Sequence, residues 1–307
     1  MLLGAHQSAA GGLHLAFGRG RVDGCQAIQI FTKTSGMWRE PTLTGEQVAA
    51  FRSALEEACV PVMAHTSYLI NLATDQPEIL ARSKDALVAE VKRSSALGVS
   101  FCVLHPGAHL GAGEDVGVAR IVASLDEVLE RTRGESARIV IENTAGQGTC
   151  VGHRFEHIAE IFRGTKESSR LGVCFDTQHA FAAGYDLSTS DGYARTFEDF
   201  DAQIGLGRLC GFHLNDSKKA LGSHVDRHEH IGEGVLGLPL FWRLANDPRF
   251  AGIPAVLETE PKEGGEPYKD EVALLRGLVG AKEPPPKPFR LEVLEAPRSK
   301  STRRARG

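Results

Sequence analysis

The chain has 307 residues, 42% hydrophobic and 24% charged, a balance that suits a soluble globular protein with material for a large core. No apolar run reaches the roughly 20 residues of a bilayer-spanning helix, and the start MLLGAHQSAAGG lacks the basic flank and apolar stretch of a secretory signal. The net charge of −4 is unevenly spread: residues 281–307 carry eight Lys/Arg against three Glu, a net +5, which leaves −9 on residues 1–280.

In chain order, short apolar runs alternate with amphipathic stretches. Residues 2–6 and 27–31 read as strands, followed by a helix over 45–58. A strand over 60–65 leads to a helix over 78–97, a strand over 99–105 to a helix over 119–131, and a strand over 138–142 to a helix over 155–162. Strands over 171–176, 209–213 and 254–258 complete a set of eight. Eight β-α repeats over residues 1–280 predict one (β/α)8 TIM barrel, an α/β fold whose strands are covered on both faces. Residues 282–288 contain four prolines and 299–307 end in basic residues, so 281–307 read as a linker and a disordered basic tail. The alternative there is a terminal strand over 289–293. Six scattered cysteines with no CxxC pair point to reduced thiols in a cytoplasmic compartment, not to a disulfide framework or a thiolate zinc site.

The chemistry is concentrated where the strands end. Strands three to eight finish at His65, His105, Glu142, Asp176, His213 and Glu258. In a TIM barrel these ends converge on the face that carries active sites. One such histidine is ordinarily a satisfied core residue; six ligand-type residues in succession are not explained that way. Without a cation the carboxylates would crowd and repel. His179 follows Asp176 by three residues, on the turn leaving the strand, and Asp226 and His228 stand two apart, on one side of an extended segment. Alone, that last pair reads as a solvated loop. Five histidines and four carboxylates exceed the three protein ligands of one catalytic zinc and imply two or three ions. Nitrogen and oxygen donors favour Zn2+, with Mn2+ or Fe2+ also suited. An acidic body is unusual for a nucleic-acid enzyme; three divalent ions, about +6, would offset much of it.

The sequence resembles the endonuclease IV family of zinc-dependent abasic-site endonucleases, built on a xylose-isomerase-like barrel. The matching segments are GAHQSAAGG (4–12), FTK and Trp38 (31–38), HTSYLINL (65–72), HPGAH (105–109), IENTAGQG (141–148), GVCFDTQHAFAAGYD (172–186), HLNDSK (213–218), GSHVDRHEHIGEG (222–234) and LET (257–259). The resemblance implies three zinc sites: His65, His105 and Glu142; Glu142, Asp176, His213 and Glu258; and His179, Asp226 and His228. It implies hydrolysis 5′ to abasic sites in double-stranded DNA by a metal-activated hydroxide, with Glu142 and Glu258 catalytic, leaving a 3′-hydroxyl and also clearing blocked 3′ ends. A monomer in the cytoplasm, associated with the nucleoid, is expected.

Tyr68 and Leu69 match the family's duplex-inserting residues; the plainer reading is a stapling pair on the following helix. Gly36 stands where an intercalating arginine is common, with Trp38 and Arg39 in the same segment as further DNA contacts. Gln178 stands where cysteine is common and His224 where arginine is. Residues 232–237 fit GxGxxG without the βαβ context that nucleotide binding requires, and Gly-rich 144–148 gives backbone room near the metals. His6 ends strand one as a supporting or DNA-facing residue; His14, His109, His153, His157, His224 and His230 default to surface or packing roles. Two rivals remain: a metal-dependent sugar isomerase or epimerase on the same barrel, and a non-catalytic damage-binding protein.

Overall fold

The computed structural model describes residues 1–260 and 268–284. The remaining part of the expected tail, including the alternative strand over 289–293, lies outside the described residues. Parallel strands β1 (Leu2–His6), β2 (Ala27–Phe31), β3 (Val62–His65), β4 (Phe101–Leu104), β5 (Arg138–Glu142), β6 (Leu171–Asp176) and β7 (Leu209–Leu214) lie side by side. After the short pieces β8 (Asp216–Ser217) and β9 (His228–Glu229), β10 (Pro254–Leu257) inserts between β7 and β1 and closes the barrel. The predicted TIM barrel is therefore the fold. Around it run α1 (Leu15–Asp23), α2 (Gly45–Ala58), α3 (Pro77–Leu97), α4 (Glu114–Arg131), α5 (Phe155–Gly164), α6 (Thr177–Ala183), α7 (Ser190–Gln203), α8 (Leu238–Asn246) and α9 (Lys269–Leu278).

Element ends differ from expectation for local reasons. Strand β3 starts at Val62 because Pro61 has no N–H for the ladder. Val99 does not begin β4; its N–H closes the end of α3 on Ser94 O at 2.9 Å. His105 and Glu258 each lie one residue beyond their strands, and the Glu258 N–H is taken by Asn215 Oδ1 at 3.2 Å. Helix α4 starts at Glu114, five residues early, with Glu114 and Asp115 facing the positive end of its dipole. The expected turn after Asp176 is instead the first turn of α6: Asp176 is its N-cap and accepts from His179 N–H at 2.7 Å.

Two apolar layers hold the barrel. The larger packs strands against helices through buried residues such as Phe51, Phe155, Phe175 and Phe212. A smaller plug fills the interior with Ala27, Met63, Val103, Val140, Cys174 and Val256. Strand side chains alternate with period two, so the residue two further on faces the same way. From those plug residues this step reaches Gln29, His65, His105, Glu142, Asp176 and Glu258. The polar layer at the C-terminal mouth thus follows directly from the apolar plug beneath it. No two cysteines are joined, and among the described residues no helix is long and apolar enough to cross a membrane.

Candidate metal centre

The nine expected ligands meet at this mouth. Three groups have donor atoms within 4.8 Å of one another: His65, His105 and Glu142; Glu142, Asp176, His213 and Glu258; and Asp176, His179 and His228. Asp226 adjoins the third, with its carboxylate 3.3 Å from His179 Nε2 and 3.4 Å from His228 Nε2. Asp176 therefore borders the third group as well as the second, whereas the family resemblance assigns it to the second alone. Glu142 links the other two. Its Oε2 faces His65 Nε2 at 3.3 Å and His105 Nε2 at 2.9 Å, while Oε1 faces His213 Nδ1 at 2.9 Å.

Backbone and amide groups set which imidazole nitrogen is offered. His65 Nδ1 donates to Thr66 O at 2.8 Å, which directs Nε2 inward. His213 Nε2 donates to Gln29 Oε1 at 2.9 Å, which leaves Nδ1 for the centre. His179 Nδ1 lies 3.0 Å from Asn143 O, and its Nε2 faces Asp226. Asn215 Nδ2 donates to Asp176 Oδ2 at 2.7 Å, and Gln29 Nε2 to Glu258 Oε1 at 2.6 Å and to His6 Nδ1 at 3.0 Å. Gln29, Asn143 and Asn215 escaped the sequence reading. The available signal was a buried amide in the otherwise apolar run Ala27–Phe31, and an asparagine one or two residues past a ligand in IEN and HLN.

The electrostatics are those of a cluster that seeks cations. Burial opposes charge throughout, yet His105 and His213 hold Glu142 well below the usual carboxylate range. Burial pulls His105, His179 and His213 down, but their neighbours prevail: Glu142 lifts His105, Asp176 and Asp226 lift His179, and Cys174, Glu142 and Glu258 lift His213. Asp226, despite burial, is lowered to about 2 by His179 and His228. His6 moves the other way, lowered chiefly by burial. The donor set fits divalent ions: it contains no sulfur, and His228 Nε2 is buried without a hydrogen bond while facing Asp226 and Asp176.

The residues expected to contact a substrate lie on the loops after β2 and β3. Tyr68 is 61% exposed and lies in the loop after β3, with its ring 5.5 Å from that of His65 and 5.4 Å from that of Phe31. Helix α3 begins only at Pro77, so Tyr68 and half-buried Leu69 are not a helical staple. Gly36 is exposed on the loop after β2, and a Cβ there would meet nothing within 4 Å. Ser67 Oγ donates to Ser35 O and ties the two loops together. The loop after β2 is also clamped to α3, because Arg93 donates to Thr32 Oγ1, Glu40 and Glu90 at 3.0, 2.6 and 2.6 Å. Arg39 is exposed; Trp38 is partly buried, with the Arg82 guanidinium 4.8 Å from its ring. A cleft of about 1050 Å³ opens beside this rim, lined by residues that include His6, Phe31, Lys33, Ser35 and Tyr268.

His6 Nδ1 lies 3.7 Å from Glu258 Oε1, and the remaining six histidines stand apart from the nine. His153 and His157 pair with Glu114, His230 with Glu271, and His224 Nδ1 lies 3.2 Å from Ala145 O. His109 Nδ1 accepts from Gly111 and Gly113, and His14 is exposed. Gln178 donates to Val225 O at 3.0 Å.

Fold and site together define a TIM barrel with clustered groups of metal-ligand residues at the C-terminal mouth of its strands. Residues 21–278 match the family described as xylose isomerase-like TIM barrel. The chain is 46% identical over 279 residues to the "Probable endonuclease 4" of Geobacter sp. (strain M21), covering 91% of this chain and 99% of that one. The crystal structure of endonuclease IV from Thermus thermophilus superimposes with a TM-score of 0.80 at 33% identity, over 91% of this chain and 98% of that chain. The 3-keto-D-glucoside 4-epimerase of E. coli shares the fold alone, with a TM-score of 0.64 at 15% identity over 90% of this chain and 99% of its own. The chain belongs to the endonuclease IV family.

Proposed function

We propose that the protein is a metal-dependent DNA-repair endonuclease that hydrolyses the phosphodiester 5′ to abasic sites and leaves a 3′-hydroxyl. It also acts as a 3′-phosphodiesterase and phosphatase on blocked ends. The observation that carries the reading is the contiguity of three donor groups, joined through Glu142 and Asp176, on one mouth beside an exposed aromatic rim.

His65, His105 and Glu142 would hold one ion; Glu142, Asp176, His213 and Glu258 a second; His179, Asp226 and His228 a third. Zn2+ suits the set best, with Mn2+ or Fe2+ as alternatives. When bound, such ions supply Lewis acidity toward the phosphoryl oxygens and the acidified water that hydrolysis needs. The chain's own part is positioning. Gln29, Asn143, Asn215 and the Thr66 carbonyl fix ligand atoms, Glu142 and Glu258 border the reacting phosphate, and Tyr68 and Leu69 enter the duplex at the lesion. The loop bearing Gly36, Trp38 and Arg39 lies alongside, without the common arginine wedge. The protein works as a cytoplasmic, nucleoid-associated monomer on double-stranded DNA.

A sugar epimerase would share the barrel, but the likeness to that class rests on fold at 15% identity. A binding-only protein has no use for a donor set able to acidify water. The test is a labelled duplex with one tetrahydrofuran abasic analogue, which cannot undergo β-elimination. One cut 5′ to the analogue, lost on prolonged chelation and restored by Zn2+ or Mn2+, supports the proposal. Metal-loaded protein that leaves the duplex intact refutes it.

A further inference from the structure

Residues 232–237 have the spacing of a phosphate-binding glycine loop, and the anion they hold is part of the chain. The Asp216 carboxylate is fully buried and accepts five backbone N–H groups. Oδ2 takes Gly232, Gly234 and Gly237 at 3.0, 3.1 and 3.0 Å; Oδ1 takes Leu236 at 2.9 Å and Ser217 at 2.8 Å. Convergent N–H groups of this kind form a nest for negative charge. The glycines are required by geometry. A Cβ on Gly234 would sit 2.4 Å from Asp216 Oδ1, and Gly232 and Gly237 have φ of +81° and +66°.

The nest fixes the strand that faces the third donor group. Asp216 and Ser217 form β8, which pairs antiparallel with β9 so that Ser217 stands opposite His228. The Val235 N–H donates to Ser217 O at 2.9 Å, and the Lys218 N–H to Arg227 O at 3.1 Å. Asp226 and His228 thus depend on β8 for their place. The segment is anchored further by the Asp226 N–H on Gln147 Oε1 at 2.9 Å and by Gln178 Nε2 on Val225 O at 3.0 Å.

We propose that Asp216 is a positioning residue for the third metal, with the glycine loop as its counterpart: together they register the β8–β9 hairpin so that Asp226 and His228 meet His179. The inference rests on the three-ion reading above. Positioning of this kind changes metal affinity by about 10–100-fold.

The test is zinc stoichiometry in the full chain, measured by mass spectrometry after dialysis against buffered free Zn2+. Wild type should hold three ions, whereas Asp216→Asn should hold two, with the third weakened at least tenfold and the other two unchanged. Gly237→Ala keeps the carboxylate but strains the loop; it should weaken the same ion and covers the case in which Asp216→Asn does not fold. His228→Ala sets the value for complete loss. Wild-type retention of three ions by a folded variant overturns the inference. Two ions in wild type would instead refute the three-ion reading.

Discussion

Gln29 is the residue whose removal tests the proposed centre most cleanly, because it supports two of the proposed ligands and is none itself. Its Oε1 accepts from His213 Nε2, and its Nε2 donates to Glu258 Oε1 at 2.6 Å. Gln29→Leu keeps the bulk and the apolar surroundings of the barrel interior but removes both contacts. The bond to a buried carboxylate contributes about 1.5–3 kcal/mol. If that support acts on the metal-bound arrangement, it corresponds to about 10–100-fold in affinity at about 1.4 kcal/mol per decade, the range found for groups that orient metal ligands. The variant should therefore lose the ion shared by Glu142, Asp176, His213 and Glu258 about 10–100-fold more readily to a chromophoric chelator. Incision should recover at saturating Zn2+. Gln29→Glu restores an acceptor for His213 but sets a like charge against Glu258, and should deviate from wild type as well. Wild-type chelator resistance in a folded Gln29→Leu protein would refute the argument that this amide holds the two ligands in place.

Glu142→Gln should abolish incision while duplex binding, read by fluorescence anisotropy, is largely kept; a wild-type incision rate would contradict the assigned role. A Cβ at Gly36 would meet nothing within 4 Å, so Gly36→Arg should tighten abasic-duplex binding with little change in single-turnover rate at saturating enzyme, and weaker binding would show that the loop does not face the lesion. The raised His179 and His213 and the lowered Asp226 set opposite limits on the stability of the metal-free protein. The histidine contribution is complete below the ordinary value of about 6.5 and is lost as pH rises through their raised values. The Asp226 contribution is complete above about 3.8 and is lost as pH falls through about 2. Thermal melts of chelator-treated protein should therefore peak in the mildly acidic range and decline above it, while the gain in Tm on adding Zn2+ grows with pH; a metal-free Tm that climbs through pH 8 would contradict this.

What could be read from the sequence and what could not divides along the chemistry of the groups involved. The clustering of the nine candidate ligands was legible because the barrel puts strand ends on one face and because histidine and carboxylate side chains announce their chemistry by type. Period-two alternation carries each strand from an apolar plug residue such as Val140 to a polar mouth residue such as Glu142. The supports left only a faint signal, because an amide in an apolar strand or an asparagine beside a candidate ligand does not announce which partner it will hold. Gln29 is one polar residue in a five-residue strand, and its partner Glu258 lies 229 residues away, adjacent only once the barrel closes. Strands β8 and β9, of two residues each, are too short to leave a periodic signal. For Tyr68 and Leu69 the sequence left two readings open, and only the position of Pro77 as the first residue of α3 removed the helical one. The glycine spacing at 232–237 reads from the sequence only as a GxGxxG without the βαβ context of nucleotide binding; the fold is what brings its N–H groups onto an anion, and that anion is Asp216.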